Sequence, residues 1–159
     1  MNFKFRNEVR QDDTIHVRDI IESTGFFRSY EIDVAVELVE ERLKKGNDSG
    51  YHFIFAEING KTVGYTCFGN IPCTLYSYDL YWIAVHNDYR SHGLGKILMD
   101  KTEKAIRQMG GKGIYIETSS QEKYIPTQKF YNKCKCELIA RFKDFYDDGD
   151  DKMVYRKTL

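Results

Sequence analysis

One stretch near the middle of the chain decides what kind of fold it can adopt. A β-rich run over 75–86, ending Tyr81-Trp82-Ile83-Ala84-Val85 and His86, is followed by a glycine-containing turn. An amphipathic helix over 93–109 comes next, then a second short strand over 112–119 centred on Ile114-Tyr115-Ile116. Leu94, Leu98, Thr102, Ala105 and Met109 form one helical stripe, with Ile97 and Ile106 beside it, and Gly110-Gly111 stops the helix. Strand, helix, strand in that order is a crossover unit, so the two strands belong to one sheet and the connection is right-handed. A chain built round such a unit must form a sheet with helices packed on it.

The flanking segments complete the arrangement. Phe3 to Val9 alternates as a first strand, and Asp12-Asp13 cap a helix running to Ser23 that offers Ile15, Ile20 and Ile21 to a core. Ser29 opens a second helix in which Ile32, Val36, Val39 and Leu43 share one face, closed by Lys44-Lys45-Gly46. The runs 51–58 and 61–69 form a hairpin about Asn59-Gly60, a strong turn signal. Pro126 suits the first turn of a short helix ending at Lys133. Two last strands, 134–145 and 153–157, flank an aspartate-rich turn, Asp147 to Asp151, that reads as a solvated hairpin tip. The order is β-α-α-β-β-β-α-β-α-β-β. It predicts an α+β fold, a mixed sheet of about seven strands flanked by about four helices, as a single domain over residues 1–159.

Charge excludes some functions. Lys+Arg and Asp+Glu balance at 24 each, so no overall field favours nucleic acid or an anionic membrane. The first residues lack the apolar stretch of a secretory signal and no run is long enough to cross a bilayer, which points to the cytoplasm. There Cys67, Cys73, Cys134 and Cys136 stay reduced. Cys134 and Cys136 lack a second Cys/His pair at zinc-finger spacing, so they read as packing residues and no metal is expected.

The sharpest local signal is Arg90-Ser91-His92-Gly93-Leu94-Gly95-Lys96, between strand and helix. The first amides of a helix have no partner within it, and its dipole favours an anion such as a pyrophosphate. Arg90, His92 and Lys96 add charged donors. A phosphate-binding Walker loop is excluded, because Arg90 stands where its first glycine belongs and Ile97 where it needs Ser or Thr. A dinucleotide fingerprint is excluded because Leu98 replaces its third glycine.

The pattern Arg-x-x-Gly-x-Gly after a strand ending Tyr81 to Val85 resembles the acyl-CoA signature of the GCN5-related N-acetyltransferases (GNAT), and the order of elements across the chain is similar to theirs. The resemblance implies acetyl-CoA as co-substrate. Arg90, Ser91, His92, Gly93, Leu94, Gly95 and Lys96 would surround its pyrophosphate, and Ile83, Ala84 and Val85 would lie along the pantetheine and thioester. Many relatives carry Asn-x-x-Ala-x-x-Phe-Tyr on the next helix. Here Phe130-Tyr131 fit, with Tyr124 in place of the asparagine and Thr127 in place of the alanine.

Transfer to an amine needs a neutral nucleophile, although a lysine-type amine titrates near 10.4 in solution. A base must therefore take its proton. Strand alternation puts Tyr115, Glu117 and Ser119 on one face, and Asp79, Tyr81, Ile83 and Val85 on one face of the preceding strand unless a bulge intervenes. Glu117 is the first candidate base, with Asp79 and Glu57 as alternatives. A backbone amide near Val85 is the candidate oxyanion donor. By resemblance Tyr131 is the general acid for the departing sulfur, and His86 is a candidate relay. Phe26, Phe27, Tyr30 and Tyr146 are expected to line the acceptor pocket, which suits a small-molecule or peptide amine. A homodimer is compatible with the sequence. The alternative function is a catalytically silent acyl-CoA-binding module or an interaction domain of the same fold.

Overall fold

Where the backbone pairs decides where this molecule opens. A computed structural model describes residues 1–159. Its elements are β1 (Lys4–Arg6), α1 (Asp13–Thr24), α2 (Ser29–Lys45), β2 (His52–Ile58), β3 (Lys61–Asn70), β4 (Ser77–Val85), α3 (Leu94–Gln108), β5 (Gly113–Ser119), α4 (Ile125–Lys133), β6 (Glu137–Asp147) and β7 (Asp150–Thr158). The strands form one 7-stranded sheet in the order β1-β2-β3-β4-β5-β7-β6. Only β4 and β5 pair in parallel, so the sheet is mixed and the expected α+β architecture is present. No helix is long and apolar enough to cross a membrane.

Apolar side chains collect on both faces of the sheet. On one face Leu94, Leu98, Met99 and Ile106 of α3 pack with Ile114, Ile116, Val63 and Tyr131. On the other, Val17, Ile20, Ile21, Ile32, Val36 and Val39 of α1 and α2 cover Phe53, Phe55 and Tyr65. Two helical faces are rotated from expectation. Ile15 is exposed while Val17 is buried, and Ile97 and Met109 lie outward while Met99 and Ile106 lie inward. Both helices meet a twisted sheet, which selects the stripe that reaches it. Cys134 and Cys136 are buried in the α3-side core.

Two features position the site. First, β4 and β5 pair only from Ser77↔Gly113 to Asp79↔Tyr115, then part, while β5 continues along β7 to Ser119↔Lys152. The backbone groups of β4 beyond Asp79 that face β5 thus have no strand partner. Second, β4 carries a bulge: Cys67 pairs with Trp82 and Phe68 with Leu80, which leaves Tyr81 as an extra residue. Tyr78 and Leu80 therefore pack on the α3 side together with Ile83 and Val85, while Trp82 and Ala84 turn toward α1 and α2. The expectation that Asp79, Tyr81, Ile83 and Val85 share one face is overturned, because an extra residue inverts the alternation.

The final hairpin also differs from its reading as a solvated tip. β7 starts at Asp150, and Asp150 and Asp151 are both buried. The Asp151 carboxylate accepts from the Asp144 N–H and pairs with Arg141, while the Asp151 N–H donates to the Ser120 hydroxyl beyond β5, so only Asp148-Gly149 forms the tip.

Candidate active site

The turn after β4 is built to leave amides free. A 3₁₀ turn over Asn87–Tyr89 is followed by Arg90 in extended conformation, Ser91 at φ 65° and Gly93 at φ 76°. Alternation of left-handed residues with others turns successive N–H groups toward a common centre, an anion-binding nest. The amides of residues 91 to 96 have no acceptor within the protein; the first inward bond of α3 runs from Ile97 N to Gly93 O at 3.2 Å. Gly95 has a separate reason to lack a side chain, since a Cβ there would lie 3.2 Å from the Phe130 ring of α4.

The cations around this nest are not equivalent. The Arg90 guanidinium sits 5.3 Å from the centre of the Phe26 ring and lines the cleft. Lys96 also lines it, held by Asp100 one turn along α3. His92 does not line it: its Nδ1 lies 3.3 Å from the Tyr89 carbonyl oxygen, so the imidazole turns back on the preceding turn. His92 thus stands apart from Arg90 and Lys96, with which the sequence grouped it. His86 is likewise outside, buried with its Nε2 3.6 Å from Asp19.

From the nest a cleft of about 1000 Å³ runs through the parting of β4 and β5. Such a volume is at the upper end for small-molecule sites. Ile83, Ala84 and Val85 line one wall. Tyr131 reaches the cleft from α4 and is otherwise buried against Phe130 and Tyr155. Burial pushes its phenol well above the ordinary tyrosine value, and the neighbouring thiols of Cys136 and Cys134 add to the effect. It stays protonated at neutral pH.

The candidate bases separate clearly. Glu57 is outside the cleft, bonded to Arg6 at 2.6 Å. Glu117 and Asp79 both line it, from β5 and β4. Glu117 is exposed and lies 3.3 Å from the Lys152 ammonium. Asp79 is half-buried, and its carboxyl is raised above the usual carboxylate range by burial and then by the Glu117 charge, with Lys152 opposing. A raised carboxyl is the better proton acceptor. Tyr81 beside it is pushed up to about 12, first by burial and then by Asp79.

Aromatic side chains close the other end. Phe26, Phe27, Tyr30 and Tyr146 all line the cleft. Phe27 packs edge-on against Trp82 at 5.1 Å and against Tyr124 at 6.4 Å, and Phe26 lies 5.8 Å from Tyr124. Sequence reasoning missed Tyr124, Glu31 and Asp150 as lining residues. Tyr124 was visible only as a departure from the Asn motif; nothing local marked the two carboxylates.

Split sheet, free amides after β4 and a buried tyrosine in the cleft define a class of α+β domain with an open seam in its sheet. Residues 17–135 match the model of the Acetyltransferase (GNAT) family, and the chain belongs to that family. It is 26% identical over 117 residues to an N-alpha-acetyltransferase of Sulfurisphaera tokodaii, covering 67% of this chain and 69% of that one. A GNAT-family crystal structure from Desulfovibrio desulfuricans is 43% identical, covers 99% of each chain and superposes with a TM-score of 0.97. The PaiA N-acetyltransferase of Thermoplasma acidophilum, solved with coenzyme A, is 17% identical, covers 100% of both chains and has a TM-score of 0.74, a likeness of fold.

Proposed function

We propose that this chain, acting as one N-acetyltransferase domain over residues 1–159, binds acetyl-CoA and transfers its acetyl group to a primary amine by direct attack. The observation that carries the reading is the run of unpaired amides from Ser91 to Lys96 at the mouth of the cleft. Those donors suit the diphosphate of coenzyme A, with Arg90 and Lys96 adding charge. The open edge of β4 over Ile83 to Val85 suits the amide-bearing pantetheine arm, which pairs with it as an added strand does.

The chemistry follows from the two titratable groups. The incoming ammonium first loses one proton to solvent, and Asp79, directly or through a water, takes the second proton from the attacking nitrogen as the tetrahedral adduct forms. The neutral nitrogen adds to the thioester carbonyl carbon, and the oxyanion accepts from an amide near Val85. The carbon–sulfur bond then breaks, and Tyr131 gives its proton to the thiolate. Glu117 acts on Asp79 by keeping its carboxyl raised.

The test is thiol release from acetyl-CoA in the presence of an amine panel, with wild type and Tyr131→Phe. The variant is expected to lose about 10²-fold in kcat, the lower range for a general acid, with acetyl-CoA affinity unchanged. Equal loss in turnover and affinity would assign Tyr131 to packing, and wild type without affinity for acetyl-CoA would refute the reading.

A further inference from the structure

The buried carboxylates of this protein carry an asymmetry that bears on the acceptor. Asp13, Glu103, Asp150 and Asp151 are the buried acids. Asp13 is bonded twice by Arg6, Glu103 lies 3.3 Å from Lys157, and Asp151 is paired with Arg141. Asp150 differs. It is 8% exposed, accepts a 2.5 Å bond from the Ser119 hydroxyl, and has no basic side chain within ion-pair distance. A buried charge without a counter-charge is unfavourable unless something completes it. This carboxylate lines the cleft.

We infer, on the basis of the acetyltransferase reading above, that the acceptor is a small amine bearing at least two positive charges, one nitrogen reacting beside Asp79 and another, still protonated, docked on Asp150. The surroundings agree. Glu31 and Asp147 line the same end of the cleft as Asp150, against Arg28 and Lys123. Lys123 is occupied by the Phe26 carbonyl at 2.9 Å and lies over the Tyr124 ring. The Tyr124 and Tyr146 hydroxyls are both pushed up to about 12, chiefly by burial and then by Glu31 or Glu117 and Asp150, which places these phenols among the carboxylates. Protonated nitrogens favour aromatic faces combined with carboxylates, and here three carboxylates outnumber the two cations.

Spacing sets the kind of amine. Asp79 is level with Tyr115 on β5, and Ser119, which holds Asp150, lies four residues further along that strand. At strand rise this is about 13 Å, reduced where the carboxylates lean inward. A linear polyamine, or an amino sugar with several amines, reaches both anions. A monoamine satisfies one.

The experiment compares spermidine, a polyamino sugar, n-hexylamine and a neutral peptide with a free α-amine in the thiol-release assay. Wild type is expected to show at least roughly tenfold higher kcat/KM for one of the polycations than for hexylamine or the peptide, mainly through KM and weakened by salt. Asp150→Asn keeps the acceptor oxygen for Ser119 and removes the charge; it should collapse that ratio toward one while acetyl-CoA affinity stays intact. Glu31→Gln should lower the ratio less. A monoamine or neutral peptide used as well as the polycations overturns the inference and leaves the acetyltransferase reading standing, as does an Asp150→Asn ratio equal to wild type. If that variant does not fold, the wild-type panel and its salt dependence decide. No turnover of any amine, with no acetyl-CoA binding, overturns both.

Discussion

Gly93 is the position at which one substitution tests the proposed cofactor site. Its φ of 76° lies in the left-handed region, where an L-residue is strained by roughly 1–2 kcal/mol and a β-branched one by more. A Cβ at Gly93 meets nothing within 4 Å, so no packing forces valine to keep that conformation. In Gly93→Val the turn is expected to relax to negative φ, and the amides of residues 91 to 96 then cease to converge. Each hydrogen bond to a charged group contributes about 1.5–3 kcal/mol, so losing two weakens acetyl-CoA by about 3–6 kcal/mol, or about 10²–10⁴-fold in Kd. Isothermal titration with acetyl-CoA reads this directly. S-acetyl-pantetheine, which has no diphosphate, is the control and should bind the variant and wild type alike. Intact acetyl-CoA affinity, or the same proportional loss for both ligands, would refute the nest as a diphosphate site.

Other consequences are equally open to measurement. The folded protein holds the Asp79 proton to higher pH than the unfolded chain, where the group titrates near 3.9. The stability from that proton is full below the unfolded value and is lost as pH rises through the raised folded value. Asp79→Asn should therefore raise the thermal midpoint at pH 7.5, with the gain fading toward pH 4, while amine-dependent turnover falls about 10²-fold; a lower midpoint at pH 7.5 would contradict the buried-charge argument. Leu98, fully buried between α3 and the sheet, should lose about 2–5 kcal/mol of stability on truncation to alanine, read from the urea midpoint, and a loss below 1 kcal/mol would mean that the site collapses to fill the void.

The order of elements was legible because each carries its own signal: Asn59-Gly60 turns one hairpin, Gly110-Gly111 stops α3, and the stripe over Leu94 and Leu98 belongs to a helix on a sheet. The nest was legible for the same local reason, since Gly93 and Gly95 are required where they stand. The rest depended on groups far apart in sequence. A bulge at Tyr81 is recorded only in its pairing with β3, so the faces of β4 beyond it could not be read from alternation alone. That the His92 ring lies beside the Tyr89 carbonyl is set by the shape of the turn, which the residue order does not record.

Asp150 shows the division most sharply. In sequence it is one of several aspartates beside a glycine, the composition of a wet tip; in the fold it pairs across β6 and meets Ser119 from β5, buried in the cleft wall. The sequence by itself determined much of the backbone conformation, the helix ends and the glycine turn that leaves its amides free, because these depend on neighbours within a few residues. Tertiary structure alone decided which carboxylates lost their water and which found a cation, because desolvation and charge pairing are set by whichever strands happen to come together.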